Sequence, residues 1–196
     1  MAEATFYRWL FTLLFAGMWG GWFVLWRVMA TRVKTAAQSE GLASWLSHFG
    51  PLVIAGGLLA APRFPFPPLD GRFVPLALWP PTLGVALTFA GLVSCVWARF
   101  VLAGNWSGYV EVKHDHELVV DGPYRWVRHP IYTGLLLMFA GTALAVGEWR
   151  GVLAVAIAAA AFWRKLRLEE AAMRGEFGEA YVRYANRTSR LIPYLL

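Results

Sequence analysis

Ile131-Tyr-Thr-Gly-Leu-Leu-Leu-Met-Phe-Ala-Gly-Thr-Ala-Leu-Ala-Val-Gly147, then Glu148-Trp149-Arg150, then Gly151-Val-Leu-Ala-Val-Ala-Ile-Ala-Ala-Ala-Ala-Phe-Trp163: this stretch decides the fold. The two outer runs carry no charge, and a three-residue break separates them. So short a break is a tight turn between two antiparallel helices. A helix needs about 20 mostly apolar residues to cross a bilayer. The first run is near that length, and the second reaches it by continuing past Arg164. Working back towards the N-terminus, Phe73–Ala98, Gly41–Pro62 and Trp9–Trp26 are three more runs without Asp, Glu, Lys or Arg. The expectation is an all-α integral membrane bundle of about five transmembrane helices.

Composition agrees. Of 196 residues, 58% are hydrophobic and 15% charged, with a mean hydropathy of +0.49. Soluble domains carry about 25% charged residues, and disordered chains need low hydrophobicity with high charge. The single cysteine, Cys95, excludes an internal disulfide and any multi-cysteine metal site. A net charge of +6 on so apolar a chain points to loops facing anionic lipid rather than to nucleic acid. With five spans, fourteen of the Lys and Arg residues fall on the side of the C-terminus, and Arg8, Arg63, Arg72 and Arg150 on the other. The positive-inside rule then places the C-terminus in the cytoplasm and the N-terminus outside. No basic n-region precedes the first run, so no cleaved signal peptide is expected. Pro80-Pro81 should kink or break the third run.

Arg99–Tyr132 is the informative polar segment, because a structureless loop of that length is usually functional or disordered and its aromatic residues argue against disorder. Val110-Glu-Val-Lys113 alternates as a short extended piece does. Asp121-Gly-Pro-Tyr124 is a turn signal, and Pro130 suits the first turn of a helix. Arg125, Arg128 and His129 therefore flank a helix N-terminus, where an anion is favoured. A plain membrane anchor reads the same residues equally well. Past the fifth run, Arg164-Lys-Leu-Arg-Leu-Glu-Glu170 reads as a salt-bridged helix. The hairpin brings it to the membrane side where Arg128 and His129 lie, so the two clusters can line one cavity. Charges so close to a membrane are functional candidates. Residues 1–99 then form one unit, helices one to three, and residues 100–196 a second, with the polar loop, the hairpin and the C-terminal helix.

His116-Glu-Leu-Val-Val-Asp-Gly-Pro-Tyr-Arg-Trp-Val-Arg-His-Pro-Ile-Tyr-Thr-Gly134 closely resembles the isoprenylcysteine carboxyl methyltransferase family. The family's Arg-His-Pro-x-Tyr-x-Gly element stands as Arg128, His129, Pro130, Tyr132 and Gly134. Its paired glutamates stand as Glu169-Glu170, and its ending as Phe177-Gly178, Tyr181, Tyr184 and Arg190-Leu-Ile-Pro193. The similarity covers about residues 100–194. Phospholipid N-methyltransferases and the C-terminal part of sterol reductases look alike here, so the motif speaks to the cofactor more than to the acceptor.

The resemblance implies a membrane methyltransferase using S-adenosylmethionine and releasing S-adenosylhomocysteine, the pocket being formed by the loop before span four and the helix after span five. The cofactor-binding set it implies is Glu111, His116, Glu117, Leu118, Val119, Tyr124, Arg128, His129, Pro130, Ile131, Tyr132, Glu169 and Glu170. Arg128 and His129 would hold the cofactor's carboxylate, and a glutamate of the pair its amino group or ribose. Lys165 falls where the family has an Arg attributed to substrate binding, with Arg164 or Arg167 as replacements. A carboxylate acceptor is ionised at pH 7 and needs no base. An amine acceptor must lose a proton, making Glu111 or Glu170 the candidate. The catalytic set is thus Arg164, Arg167 and Glu170, and the acceptor a lipophilic molecule entering from the bilayer.

The acceptor of first choice is a carboxylate of the isoprenylcysteine type or a similar lipophilic acid. The alternatives are a phosphatidylethanolamine-type amine, a nicotinamide-dependent reductase (normally a far larger chain) and a non-catalytic membrane scaffold. His114-Asp115-His116 has metal-like side chains, but it coincides with the family's cofactor segment, and no metal is expected. His48 and Cys95 read as packing residues, and Trp9, Trp19, Trp22 and Trp26 of the first run as lipid-facing or packing aromatics.

Overall fold

The computed structural model describes residues 2–30, 36–39, 41–62, 64–106, 111–113 and 117–195, and of residues 2–4, 36–39 and 111–113 the backbone alone. Five long helices form the bundle: α1 (Ala2–Ala30), α2 (Leu42–Ala60), α3 (Trp79–Leu102), α4 (Pro130–Val146) and α5 (Trp149–Phe177). A short α6 (Glu179–Ala185) follows. Two short strands, β1 (Ala36–Ser39) and β2 (Glu111–Lys113), pair antiparallel. β2 is the extended piece expected from the alternation; nothing in Ala36-Ala-Gln-Ser39 announces its partner. Thr5–Ala30, Leu42–Ala60 and Trp79–Asn105 are long and apolar enough to cross a membrane, and Pro130–Val146 is a shorter apolar helix. The flanks of these helices expose Phe6, Trp9, Leu13, Phe23, Val53, Ile54, Phe89 and Phe100. That is the surface of a multi-pass membrane protein, solvated by acyl chains rather than water.

The third helix corrects one expectation. Pro80-Pro81 neither kinks nor breaks it: α3 begins at Trp79 with the prolines in its first turn. There their missing N–H groups leave no hydrogen bond unmade. Residues 73–78, part of the third apolar run, are not helical.

α3 and α4 lie against each other with their backbones in contact. A Cβ at Gly141 would stand 2.5 Å from the Gly84 carbonyl oxygen and 2.5 Å from Thr88 Oγ1. At Gly134 it would stand 2.6 Å from the Gly91 carbonyl oxygen and from Cys95 Sγ. Seven residues separate the glycines on each helix, so two antiparallel helices meet twice along one seam. Cys95 and His48 are buried, as expected of packing residues.

The hairpin turn is tighter than the charge break suggested. α4 stops at Val146, Gly147 takes the left-handed conformation (φ 70°) and α5 begins at Trp149. Its one buried cation has a defined task. Arg150 donates to the Leu58 and Ala61 carbonyls at 2.6 and 2.7 Å, closing the C-terminal end of α2, and pairs with Glu148 at 2.6 Å. α5 then runs unbroken out of the apolar core into the polar tail, with Ala154, Ala158 and Phe162 buried on one side. On α1, Trp19, Trp22 and Trp26 pack on the core while Trp9 is exposed. The Trp19 indole donates to Thr142 Oγ1 at 3.1 Å.

Gly141→Val should overpack the α3–α4 seam by about 1–3 kcal/mol, seen as a lower melting temperature of the detergent-solubilised protein. Gly56→Ala, where an added Cβ meets nothing within 4 Å, should leave that melting temperature unchanged or raise it slightly.

Candidate active site

The chain between α3 and α4, the first turn of α4, the polar half of α5 and α6 enclose one pocket, with about 900 Å³ of free space including its mouth. Ten of the thirteen residues in the expected cofactor set line it: Glu117, Leu118, Val119, Tyr124, Arg128, His129, Pro130, Ile131, Tyr132 and Glu169. Sequence reading missed Leu102, Asn105, Trp106, Ala172, Met173, Tyr181 and Tyr184, which complete the lining. Ala172 and Met173 follow Glu169 at helical spacing, a signal that was present in the sequence. His116 and the side chain of Glu111 lie outside the described residues, as does the His114-Asp115-His116 triplet.

Each wall has a local cause. Pro130 opens α4, so the N-terminal end of that helix, with its partial positive charge, faces the pocket. Rings stack inward from it: His129 on Tyr132 at 5.5 Å, and Tyr132 on the buried Phe162 at 5.0 Å between centroids. The Tyr132 hydroxyl donates to Glu169 Oε1 at 2.5 Å. The opposite wall is held by Arg99, buried at the foot of α3. Its guanidinium donates to Met29 O at the end of α1 (2.8 Å) and to Ala103 O (2.6 Å), and lies 4.7 Å from the Trp106 ring centroid.

The two adjacent glutamates divide their duties. Glu169 lines the pocket. Its Oε2 is 3.5 Å from His129 Nδ1, and its Oε1 is 3.8 Å from Lys165 Nζ. Glu170 is almost fully buried and does not line the pocket. Its carboxylate takes Arg128 Nε at 2.8 Å, Arg190 Nε at 3.2 Å and Arg174 Nη2 at 3.6 Å, with His129 Nε2 at 3.5 Å. Arg128 in turn donates to Ala185 O at 2.9 Å and to Thr188 O. Backbone bonds continue the seam: Arg128 N to Ser189 O, His129 N to Arg190 O, and Ser189 N to Trp126 O. Tyr184 adds a bond from its hydroxyl to Tyr124 O at 2.8 Å. The tail is therefore fastened over the pocket, and Glu170 is the fastening.

These contacts bear on three expected roles. Both carboxylate oxygens of Glu170 already face cations, Oε1 towards Arg128 and Oε2 towards Arg190 and Arg174. Arg128 borders the pocket, but its guanidinium serves Glu170 and the tail rather than a ligand carboxylate. Arg164 and Arg167 are exposed, about 140–160° around α5 from Glu169 at 3.6 residues per turn. The buried cation on the Glu169 side is Lys165, one turn earlier.

Charge states follow from these contacts. Burial opposes ionisation of Glu170, but hydrogen bonding and charge from His129 and Arg128 outweigh it and bring the carboxyl down to about 2. Burial likewise opposes ionisation of Glu169, and His129, Lys165 and Tyr132 overcome it, lowering its pKa. For His129, burial disfavours the cation, yet the two carboxylates raise its pKa above the ordinary value. Burial pushes the phenols of Tyr124 and Tyr181 up, and that of Tyr184 up to about 12.

Fold and site together define a class: multi-pass helical membrane proteins with a charged, aromatic-walled pocket at one end of the bundle. More narrowly, the phospholipid methyltransferase family model matches residues 79–180, over half of the 196-residue chain, and the chain belongs to that family. It is 25% identical over 120 residues to protein-S-isoprenylcysteine O-methyltransferase B of Arabidopsis thaliana, covering 60% of this chain and 61% of that one. With the Schizosaccharomyces pombe protein-S-isoprenylcysteine O-methyltransferase it shares 33% over 82 residues, 41% of this chain and 35% of that one. The solved structure of a eukaryotic intramembrane Ras methyltransferase, isoprenylcysteine carboxyl methyltransferase, superposes with a TM-score of 0.52 at 26% identity. That match covers 79% of this chain and 50% of the other. The chain thus spans less than two thirds of each of these proteins.

Glu170→Ala should cost about 3–5 kcal/mol by leaving buried cations unpaired, read as a lower melting temperature and faster proteolysis of the tail. The pH dependence has two limbs. The depressed Glu169 and Glu170 stabilise the fold above their ordinary value of 4.5, and Glu170's share is lost as pH falls towards about 2. The raised His129 stabilises below its ordinary 6.5, a share lost as pH rises through its higher folded value. Melting temperature against pH should therefore peak between 4.5 and 6.5, and Glu170→Gln should flatten the acid limb.

Proposed function

We propose that this chain is a membrane methyltransferase that uses S-adenosylmethionine and acts on a lipophilic carboxylate of the isoprenylcysteine type or a similar lipophilic acid. The relatives' names support the reaction, and the pocket's chemistry supports the cofactor. Asn105 borders the pocket, and its Oδ1 is a buried acceptor without a partner among the described residues. Such an acceptor suits a purine amino group. Trp106, Tyr124 and Tyr181 offer faces to a nucleoside, and the Glu117 and Glu169 carboxylates suit an ammonium or sulfonium. When bound, S-adenosylmethionine supplies an activated methyl on a cationic sulfur.

The chain's own work is then orientation, which is where in-line displacement gains most. Glu169, steadied by Tyr132, His129 and Lys165, holds the amino group or ribose. Residues 117–119 with Tyr124 wall the nucleoside. The N-terminal end of α4 faces the cofactor's carboxylate, since Arg128 is engaged by Glu170 and the tail. Lys165, rather than Arg164 or Arg167, holds the acceptor's carboxylate.

One observation favours an acid over an amine acceptor. Glu169, Glu170 and His129 hold one another charged, and the phenols of Tyr124, Tyr181 and Tyr184 are pushed up. This cluster is poor at taking a proton, and a carboxylate has none to lose. The family's description, phospholipid methyltransferase, keeps the amine as the second reading. We further read five spans, with residues 1–99 as support and acceptor path and residues 100–196 as the cofactor half. The Lys and Arg asymmetry puts the pocket and C-terminus in the cytoplasm and the N-terminus outside.

Calorimetric titration of the purified protein with S-adenosylhomocysteine should show saturable binding. Label transferred from methyl-labelled S-adenosylmethionine to an S-prenylated cysteine should be released by alkali, as an ester is. Alkali-stable label on phosphatidylethanolamine would select the amine reading, and no binding at all would return the chain to a scaffold. Lys165→Ala should raise the acceptor KM and lower kcat/KM about 10–100-fold, the loss of one charged hydrogen bond. Arg164→Ala should match the wild type.

A further inference from the structure

The tail that closes the pocket has a second face. Behind it lies a concavity bordered by Arg125 and Trp126 on one side and by Arg187, Arg190 and Tyr194 on the other. No Asp or Glu lines it. Arg125 and Arg187 are exposed, and neither has a carboxylate partner among the described residues. Arg190 reaches Glu170 behind the wall.

Two tryptophans fix the depth of this concavity. Trp126 packs edge-on against Trp97 of α3 at 6.0 Å between centroids. The Arg190 guanidinium lies 5.4 Å from the ring centroid of Trp163, where the apolar part of α5 ends. Trp97 and Trp163 are exposed on the helix flanks, at 47% and 37%. Tryptophans so placed mark the headgroup layer. Next to the arginines, Ile192, Tyr194 and Leu195 are exposed as well. Unpaired guanidinium groups suit a phosphate, and a water-soluble anion would gain nothing from the apolar border.

We propose that this concavity binds the headgroup of an anionic phospholipid, with Arg125 and Arg187 on the phosphate and Trp126 against the glycerol and upper acyl chain. Guanidinium groups bind phosphate bidentately, and the negative leaflet attracts each basic residue near its surface. The site is separate from the cofactor pocket, with Arg128 and the tail between them. It stands whether or not the chain transfers methyl groups.

The test is native mass spectrometry of the full chain in neutral detergent, titrated with phosphatidylglycerol and phosphatidylcholine. The wild type should retain phosphatidylglycerol in preference. Arg125→Ala with Arg187→Ala should reduce that preference on the order of tenfold. Arg164→Ala with Arg167→Ala removes equal charge from α5 and should leave it intact. Should the first pair fail to fold, Arg125→Gln alone reads the same preference, lowered about fivefold. Equal retention of both lipids, equal losses in the two double variants, or displacement by inorganic phosphate would each overturn the assignment.

Discussion

Everything at the pocket end of the molecule depends on α3 and α4 touching backbone to backbone. Helices in lipid gain little from the hydrophobic effect, and close packing of small residues takes its place. Gly84 meets Gly141 and Gly91 meets Gly134 because none of the four has a Cβ. The contact fixes rotation and height together. It lets Cys95 Sγ reach the Ile131 carbonyl at 3.3 Å, and it sets the first turn of α4 across from the foot of α3. Leu102, Asn105 and Trp106 then face Pro130, Ile131 and Tyr132 across one space. A slip of one residue would turn α4 by about 100° and carry Tyr132 away from Glu169.

The second constraint is electrostatic. A carboxylate buried near a bilayer is costly unless it is paired and hydrogen-bonded. Glu170 meets this with cations from three separate parts of the chain: Arg128 before α4, Arg174 on α5 and Arg190 in the tail. Arg128 is suited to its place in a way lysine is not, since one planar fork serves both Glu170 and the carbonyls of the tail. The cost of burying the charge is offset by closing the tail over the pocket, which leaves Glu169 free to face inward.

Much of this was legible in the sequence, and the illegible parts share a cause. The apolar runs and the three-residue break gave the hairpin, and Arg128-His-Pro-x-Tyr132 with Glu169 named most of one pocket wall, since local patterns report local structure. The division between Glu169 and Glu170 was hidden. Neighbours on a helix point about 100° apart, and only the packing of α5 says which one faces inward. The same uncertainty of phase hid that Arg164 and Arg167 lie on the exposed side of α5, away from Glu169. Arg128's commitment to Ala185 and Thr188 spans nearly sixty residues of chain, and no periodicity reports it. Pro80-Pro81 misled because a proline pair inside an apolar run and one at a helix start look alike until the helix boundary is known.

If the chain acts as proposed above, its pocket favours an amphipathic acceptor. Glu169 and His129 line the pocket's polar end with Lys165 beside Glu169, and stacked rings lead from His129 through Tyr132 to Phe162, which is buried behind the lining. Polarity therefore falls along one short line from charged groups to hydrocarbon-like core. On the reading proposed above, a fully water-soluble acid would leave the apolar end of that line unmatched, and a pure hydrocarbon would leave its charged end unmatched. A carboxylate on a lipophilic stem matches both ends. Lys165 also lies one turn deeper on α5 than Glu169, towards the apolar half of that helix.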